Sequence, residues 1–205
     1  MQRVLKNRYW ALRHGFSKAN EKGIVVSYHQ NGVLPRYSLA PRGILQAQAA
    51  GQLIANSLRP ESIVIFSSDF SRTRETAHHV QMAVEKALAA DGNALSTRPV
   101  YLQPDLRERK FGEFELGSHE NYKRVWEIDA LDSSHTKFGV ESVKHVVCRA
   151  ENCIQLAERH FSDMNIVLVS HGDILQITQT VFQNVDCSMH RSLPHLETCE
   201  FRPLN

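Results

Sequence analysis

The 205-residue sequence has few cysteines, no run of basic residues and no long hydrophobic segment. Its four cysteines include no C-x-x-C pair and are too few for a disulfide framework, so we expect a reducing compartment, the cytoplasm by default. A net charge of +2 without a Lys/Arg cluster predicts neither nucleic acid nor an anionic membrane as a partner. The polar, basic stretch 1–9 predicts no signal peptide, and no segment is long enough to predict a transmembrane helix.

The sequence also lacks the common motifs that hold nucleoside triphosphates or metal ions. It contains no G-x-x-x-x-G-K-[ST], no D-x-D carboxylate cluster and no H-E-x-x-H. The usual ways of activating water with a metal ion are therefore not indicated, and we predict no metal site and no cofactor. A nucleophile must then come from a side chain of the protein itself.

Short apolar runs rich in β-forming residues alternate with helical patterns along the chain. The predicted strands are residues 7–12, 62–66, 99–102 and 165–169. The predicted helices are 41–58, 71–90, 143–161 with Ser142 as its cap, and 173–182. This alternation predicts an α/β fold, a three-layer α/β/α sandwich with a mainly parallel central sheet, in a single domain over 1–205.

Three further segments carry weaker signals. Residues 195–201 (HLETCEF) alternate in a half-buried manner and predict a final edge strand. Residues 21–39 and 112–140 show no strong periodicity, so we expect long loops there. Long loops in a compact domain are often lids or binding segments.

Polar side chains follow every predicted strand of the central sheet. Arg13 and His14 follow the first strand, Arg72 begins the helix after the second, Glu108 follows the third and His171 the fourth. Because ligands of open α/β sheets bind beyond the carboxyl ends of the strands, we expect these side chains to meet. Clustered cations in a partly buried place need an anion, and guanidinium groups match phosphate oxygens two at a time.

The residue types in this cluster predict phosphoryl transfer. A neutral histidine is a competent nucleophile, and nearby arginines favour its neutral form, which makes His14 the candidate. Arg13, Arg72 and His171 would surround the phosphoryl oxygens with positive charge or N–H donors. Glu108 is the carboxyl group placed to protonate the leaving alcohol.

The motifs around these residues resemble those of a known family. "LRHGFSKAN" resembles L-R-H-G-x-S-x-x-N, "SSDFSRTRETA" resembles S-S-x-x-x-R-[TA]-x-x-T-A, "LRERKFGEFE" resembles L-x-E-x-x-x-G-x-x-E, and "VLVSHGD" resembles V-x-x-V-[ST]-H-G. They occur in the family's order and span nearly the whole chain. The sequence thus resembles branch 1 of the histidine phosphatase superfamily, the phosphoglycerate mutase-like proteins.

The resemblance implies a phosphoglycerate mutase-like fold and a role for each matching residue. It implies that His14 carries the phosphoryl group as a phosphohistidine and that Glu108 is the proton donor. The phosphate contacts that it implies are Arg13, Ser17, Asn20, Arg72 and His171.

Departures from the family pattern favour hydrolysis over mutase activity. Phe16 stands where the glycolytic mutases usually carry glutamate, and 112–140 is too short and too different in composition for their basic substrate-clamping segment. Leu116 also departs from the usual E-G. We therefore predict a metal-independent phosphatase of a small phosphorylated metabolite, as a monomer or homodimer. The alternatives are a phosphoglycerate mutase-type phosphotransferase and a non-catalytic module that binds a phosphorylated ligand.

Two other side chains near the cluster each have two interpretations. We favour a helix cap for Asp173, and the alternative is a second proton donor. Trp126 belongs either to the core or to a wall of the pocket.

Two groups of charged or titratable residues also have two interpretations each. Arg107, Arg109 and Lys110 are either solvated surface charges or contacts to a second anionic group of the substrate. For His78 and His79 we favour a surface pair, and the alternative is a metal site together with His14 and His171.

Overall fold

A five-stranded sheet forms the centre of the computed structural model, which describes residues 4–90, 92 and 98–205. The strands are β1 (Arg8–Arg13), β2 (Ile63–Ser67), β3 (Tyr101–Leu102), β4 (Asn165–Ser170) and β5 (Phe201–Pro203). Their order is β3-β2-β4-β1-β5, with parallel pairing except between β1 and β5. The four strands predicted with parallel pairing are confirmed close to their expected limits, although β3 is shorter than predicted.

Helices connect the strands and cover the sheet. They are α1 (Lys18–Glu21), α2 (His29–Gly32), α3 (Pro41–Ser57), α4 (Ser71–Ala90), α5 (Tyr122–Asp129), α6 (Val143–His160) and α7 (Gly172–Gln183). The four predicted helices correspond to α3, α4, α6 and α7. Ser142 caps α6 as predicted, since its hydroxyl accepts a hydrogen bond from the backbone N of His145 at 3.2 Å.

The strands bury both of their faces, which produces two cores. Along β1, Tyr9 and Ala11 face one side of the sheet and Leu12 faces the other. Helices α6 and α7 cover the first side through Ile154 and Leu175, among others. Side chains of α3 and α4 that cover the second side include Ile54, Ala77 and Val80. The three-layer α/β/α sandwich is thus confirmed, and each large apolar side chain buried in it contributes about 1.5–3 kcal/mol.

The register of the parallel strands aligns their carboxyl ends. Arg13 at the end of β1 lies opposite Ser170 at the end of β4, and Ser67 at the end of β2 lies opposite Val169. The residues that follow β1, β2 and β4 therefore leave the sheet at the same edge.

The edge strand predicted over 195–201 is wrong in its position. The chain turns before β5, because Cys199 has a φ of 59° and the backbone N of Glu200 donates to the carbonyl O of Glu197 at 3.0 Å. Leu196, just before this turn, is buried in the core, which accounts for an apolar residue in a segment that is not a strand. Only Phe201 of the predicted segment belongs to the strand.

The two predicted loops are also partly helical, since 21–39 contains α2 and 112–140 contains α5. They pack together around a small core, which Val25, Phe114, Val125 and Val140 form with the adjacent Phe111. Backbone hydrogen bonds join the two segments: the N of Leu116 donates to the O of Val25 at 2.8 Å. No helix of the described residues is both long enough and apolar enough to cross a lipid bilayer.

Candidate active site

His14 and His171 lie side by side at the carboxyl edge of the sheet. They directly follow the neighbouring strands β1 and β4, and the backbone N of His14 donates to the carbonyl O of Ser170 at 2.9 Å. The ring centroids are 5.2 Å apart, in an edge-to-face arrangement. Both side chains are buried. The parallel register of the sheet thus brings together two histidines separated by most of the chain.

The hydrogen bonds of the His14 ring define its protonation. The guanidinium of Arg72 donates from Nε to Nε2 of His14 at 3.1 Å, and an arginine N–H can only donate. Nε2 is therefore the unprotonated acceptor, so the proton lies on Nδ1. That atom is 2.8 Å from the carbonyl O of Gly15, which accepts the hydrogen bond. The ring is neutral, with the lone pair of Nε2 beside the arginine.

Burial keeps both histidines neutral. Desolvation, followed by the charges of Arg72 and Arg13, lowers the pKa of His14 well below its usual 6.5. Desolvation and Arg72 also lower the pKa of His171 well below 6.5. Burial lowers the pKa of Arg72 to about 10, so its guanidinium remains charged at neutral pH.

Three buried side-chain nitrogens of this cluster lack partners within the described residues. They are Nε of Arg13, Nη1 of Arg72 and Nδ1 of His171.

Other hydrogen bonds hold these side chains in place. Arg72 Nη2 donates to the carbonyl O of Val26 at 2.9 Å, and Arg13 Nη1 donates to the carbonyl O of Leu196 at 2.8 Å. His171 Nε2 lies 2.9 Å from the hydroxyl of Ser68. Fixed, unpaired donors of this kind suit an anion with several oxygens.

Glu108 is a buried carboxyl group at the same edge. Its Oε1 accepts hydrogen bonds from the backbone N of Arg109 at 3.0 Å and, more weakly, of Ile174 at 3.4 Å. Burial and then the nearby carboxylate of Asp173 raise the pKa of Glu108 to about 7, against the opposing effect of Arg72. A carboxyl group with this pKa is close to half protonated at neutral pH, as a group that both donates and accepts a proton requires.

Ser17 and Asn20 lie in the pocket but also shape the backbone. The hydroxyl of Ser17 accepts from the backbone N of Asn20, and Asn20 Oδ1 accepts from the backbone N of Ser17 at 3.0 Å. This reciprocal pair caps α1, so their side chains are oriented before any ligand binds. Gly15 precedes them where a Cβ would lie 2.5 Å from the carbonyl O of Gly43, so only glycine fits there.

Arg109 is fully buried, so the reading of this residue as a solvated surface charge is wrong. Its guanidinium forms two 2.7 Å hydrogen bonds with the carboxylate of Asp129 on α5 and one of 3.3 Å with Asp173. It also donates to the carbonyl O of Glu141 at 2.7 Å. These bonds use four of its five side-chain N–H donors, and Arg109 does not line the pocket, so it does not meet a second anionic group of a substrate there.

The other charged residues near Glu108 have different surroundings. Arg107 pairs with Asp69 in a bidentate contact at the surface, and Lys110 is exposed. The prediction that Asp173 caps α7 is wrong. Its two oxygens instead accept hydrogen bonds from Arg109 and from the indole N of Trp126, the latter at 2.8 Å.

One wall of the site comes from α5, which sequence reasoning missed. Trp126 lines the pocket, which decides between its two readings, and Tyr122 stacks on it with centroids 5.4 Å apart. His195 lies 2.8 Å from Nη1 of Arg13. The spacing of Tyr122, Val125, Trp126 and Asp129 is that of one helix face and could have revealed α5. We find no sequence signal that could have placed His195.

The described residues enclose a pocket of about 200 Å³ around this cluster. Its lining combines the polar groups with an apolar wall: Arg13, His14, Ser17, Ala19, Asn20, Ile24, Val26, Arg72, Glu108, His119, Tyr122, Trp126, Gly172, Asp173 and His195. His171 lies beneath it, in contact with His14. The site residues predicted from the sequence are therefore brought together, in one place.

His78 and His79 lie outside this site, on α4. His78 is exposed, His79 is half-buried, and their rings are 5.9 Å apart, as expected for a surface pair. In the part of the chain that the structure describes, no three His, Cys, Asp or Glu side chains are grouped so that they could hold a metal ion.

The chain is similar in sequence to several known proteins. A family model described as the histidine phosphatase superfamily (branch 1) matches residues 9–204. An acid phosphatase of Mycobacterium tuberculosis is 28% identical over 169 residues, covering 82% of this chain and 72% of that protein. An adenosylcobalamin/alpha-ribazole phosphatase of Salmonella typhimurium is 26% identical over 178 residues, covering 83% and 76%.

Solved structures share the fold at lower sequence identity. A mycobacterial glucosyl-3-phosphoglycerate phosphatase, solved in complex with VO3, superposes with a TM-score of 0.73 at 20% identity, over 95% of this chain and 90% of that one. The alpha-ribazole phosphatase of Shigella flexneri gives a TM-score of 0.69 at 23% identity, over 95% and 88%.

Proposed function

The chain belongs to branch 1 of the histidine phosphatase superfamily, and from that premise we propose that it is a metal-independent phosphatase that hydrolyses a small phosphate monoester through a phosphohistidine on His14. The observation that carries this proposal is the protonation of His14. Its proton is held on Nδ1 by the carbonyl of Gly15, and the lone pair of Nε2 lies among unpaired cationic donors. A nucleophile for phosphorus requires that lone pair.

In the first step, Nε2 of His14 attacks phosphorus and the bond from phosphorus to the ester oxygen breaks. Glu108 gives its proton to the leaving oxygen, so a neutral alcohol departs. Arg72 passes its hydrogen bond from Nε2 to a phosphoryl oxygen, and Arg13 and His171 supply further donors. The role of this ring of donors is to stabilise the charge on the three equatorial oxygens.

In the second step, water attacks the phosphohistidine. The carboxylate of Glu108 takes a proton from the water, the bond between Nε2 and phosphorus breaks, and its electron pair returns to Nε2. Inorganic phosphate leaves and Glu108 is again protonated. A pKa of about 7 suits a group that must give a proton in one step and take one in the next.

The distribution of charge in the pocket favours hydrolysis of a monoester over mutase activity. Among the described residues that line the pocket, the arginines and lysines are Arg13 and Arg72, and both belong to the phosphate end. The rest of the lining supplies no arginine or lysine for a second phosphate or carboxylate of the substrate, and it includes the carboxylate of Asp173. A mutase must hold such a second anionic group. The two relatives named above are phosphatases by name, which supports the same choice of reaction.

The four cysteines are free, which supports our proposal that the protein works in a reducing compartment such as the cytoplasm. The natural partner that we propose is a small phosphorylated metabolite, a choice supported by a pocket of about 200 Å³.

The direct test is hydrolysis of p-nitrophenyl phosphate in the presence of EDTA. We expect phosphate release by the wild type and a loss of at least about 1000-fold in His14→Ala, because the nucleophile is removed. His78→Ala, which removes an exposed histidine of α4, is the matched control and should behave as the wild type. Conversion of 3- to 2-phosphoglycerate stimulated by the bisphosphate would favour the mutase instead. Phosphate binding without turnover of any ester would favour a binding module.

A further inference from the structure

Tyr122 points into the pocket from the first turn of α5, and packing fixes its ring. The ring meets that of Phe111 edge-on, with centroids 4.5 Å apart, and stacks on Trp126 with an interplanar angle of 16°. Phe111 is fully buried, and Trp126 is held by its hydrogen bond to Asp173. The position of the Tyr122 ring is therefore set before any ligand binds.

Tyr122 is half-buried and lines the pocket, and no side-chain hydrogen bond is among the causes that shift the pKa of its hydroxyl. Tyr9, which is a tyrosine of the core, shows the contrasting arrangement: its hydroxyl donates to Oε1 of Glu158 at 2.8 Å. A tyrosine combines an apolar ring, which packs, with a hydroxyl that can hydrogen-bond at the open end of its site. Because that of Tyr122 lies in the pocket instead, its partner is expected to be a ligand.

The charged groups that act on this hydroxyl are those of the catalytic cluster. Burial, followed by the carboxylates of Glu108 and Asp173, raises the pKa of Tyr122 above its usual 10, while Arg72 and Arg13 oppose the change. The hydroxyl is thus protonated at neutral pH and is available as a donor. A neutral donor adds to the guanidinium groups without introducing a further cation that would lower the pKa of Glu108.

We propose that Tyr122 is a further catalytic residue, whose hydroxyl donates a hydrogen bond to the phosphoryl group bound at His14. This proposal rests on the proposed function, since it requires a phosphoryl group at that position. It gives α5 a direct part in the chemistry. Hydrogen bonds to developing phosphoryl charge act most strongly in the transition state, so the hydroxyl should affect kcat as well as binding.

The test compares Tyr122→Phe with Tyr101→Phe. Each variant loses one hydroxyl, but Tyr101 lies on β3 with its ring against Phe66 and Phe161, away from the pocket. Binding of inorganic phosphate is measured by calorimetry, and kcat/KM is measured with p-nitrophenyl phosphate. Thermal unfolding without ligand shows whether each variant folds as the wild type does.

We expect Tyr122→Phe to weaken phosphate binding and to lower kcat/KM by about 10- to 100-fold, as for loss of a hydrogen bond to a charged group. Tyr101→Phe should change neither. Unchanged phosphate binding in Tyr122→Phe would overturn the proposal. If the wild type binds phosphate but hydrolyses no ester, the proposed function fails while the phosphate measurement still decides the role of Tyr122. If the wild type binds no phosphate, the proposal for Tyr122 is overturned, while hydrolysis of p-nitrophenyl phosphate by the wild type and its loss in His14→Ala still decide the proposed function.

Discussion

At the scale of single residues, the chemistry depends on how burial sets the protonation of His14 and Glu108. Desolvation acts on both groups in the direction of the neutral form: it lowers the pKa of the imidazole and raises that of the carboxyl group. The nucleophile is therefore unprotonated and the acid protonated over a shared range of pH. That range extends from well below 6.5 to about 7.

The first prediction concerns the pH dependence of kcat/KM. Glu108 is protonated below its pKa of about 7, so activity on alkyl phosphates should fall as the pH rises through that value. His14 loses its lone pair only on protonation, so the fall on the acid side should begin well below pH 6.5. Glu108→Gln should lose about 100- to 10,000-fold on alkyl phosphates.

Aryl phosphates provide the control for this prediction. The leaving group of p-nitrophenyl phosphate is stable as an anion and needs little help from an acid, so Glu108→Gln should lose less activity with it. An equal loss with both kinds of ester, or no change in the basic limb, would show that Glu108 is not the proton donor.

The second prediction concerns the buried ion pair of Arg109 with Asp129. Both side chains are fully buried, and removing one partner leaves an unpaired charge. Asp129→Ala should therefore lower the free energy of unfolding by about 3–5 kcal/mol. Glu120→Ala breaks an exposed contact with Lys123 and should cost less than about 1 kcal/mol. Chemical denaturation of both variants measures the difference, and equal losses would be inconsistent with this account.

The position of the candidate site could be predicted from the sequence because its main groups directly follow strands. Parallel strands aligned in register bring Arg13, His14 and His171 together without further information. Arg109 could not be placed in the same way. Its partner Asp129 is 20 residues away on α5, and no feature of the sequence around Arg109 indicates that the two charges are paired and buried. The catalytic roles of the site residues stay predictions.

At the scale of elements, the segment 112–140 is a packed unit that carries the wall of the pocket. Its apolar residues form a separate small core with Val25 and Phe111. Gly112 has a φ of 53° and lies against the backbone of Phe138 and Gly139, where a Cβ would be 2.0 Å from the carbonyl O of Phe138. A side chain at this position would displace the segment and with it α5.

Gly112 and Gly139 of this segment should differ in how well they tolerate alanine. Gly139 has a similar φ of 68°, but a Cβ there would meet only ordinary contact, at 3.6 Å from Gly112. Gly139→Ala should cost about 1–2 kcal/mol of stability, the cost of the left-handed conformation. Gly112→Ala adds a backbone clash and should cost more, with a loss of activity that Gly139→Ala does not show. Denaturation curves and kcat/KM for the pair test this, and the reverse order would contradict it.

The long helices were predicted from the sequence, whereas the short elements α5 and β5 were not. Helices such as α4 and α6 have apolar residues at helical spacing over several turns, so their limits follow from the pattern. Helix α5 has only eight residues, and its buried face includes Asp129 at a position where an amphipathic helix usually has an apolar residue. Strand β5 consists of Phe201–Pro203, and its pairing with β1 depends on a turn set by a left-handed residue, Cys199.

At the scale of the whole molecule, we propose that residues 1–205 form one domain, as the pairing of β5 with β1 across nearly the full chain supports. The pocket concentrates positive charge in a protein whose net charge is only +2. An anion that binds the folded state should therefore stabilise the whole fold.

Phosphate binding should therefore increase the free energy of unfolding. Phosphate at 100 times its Kd should raise the free energy of unfolding by about 2.7 kcal/mol relative to chloride at equal ionic strength. Arg72→Ala should abolish the effect, whereas Arg74→Ala, which alters an exposed position of the same helix, should retain it. Equal stabilisation of all three proteins by phosphate would show that the anion binds elsewhere.

The central claim is that His14 carries the phosphoryl group, and trapping the intermediate tests it most directly. The enzyme is mixed with an excess of p-nitrophenyl phosphate, quenched in alkali within the first turnovers and digested for mass spectrometry. We predict one phosphoryl group on the peptide that contains His14, stable in alkali and lost in acid. Turnover with no labelled peptide, or with the phosphoryl group on another residue, would contradict the account.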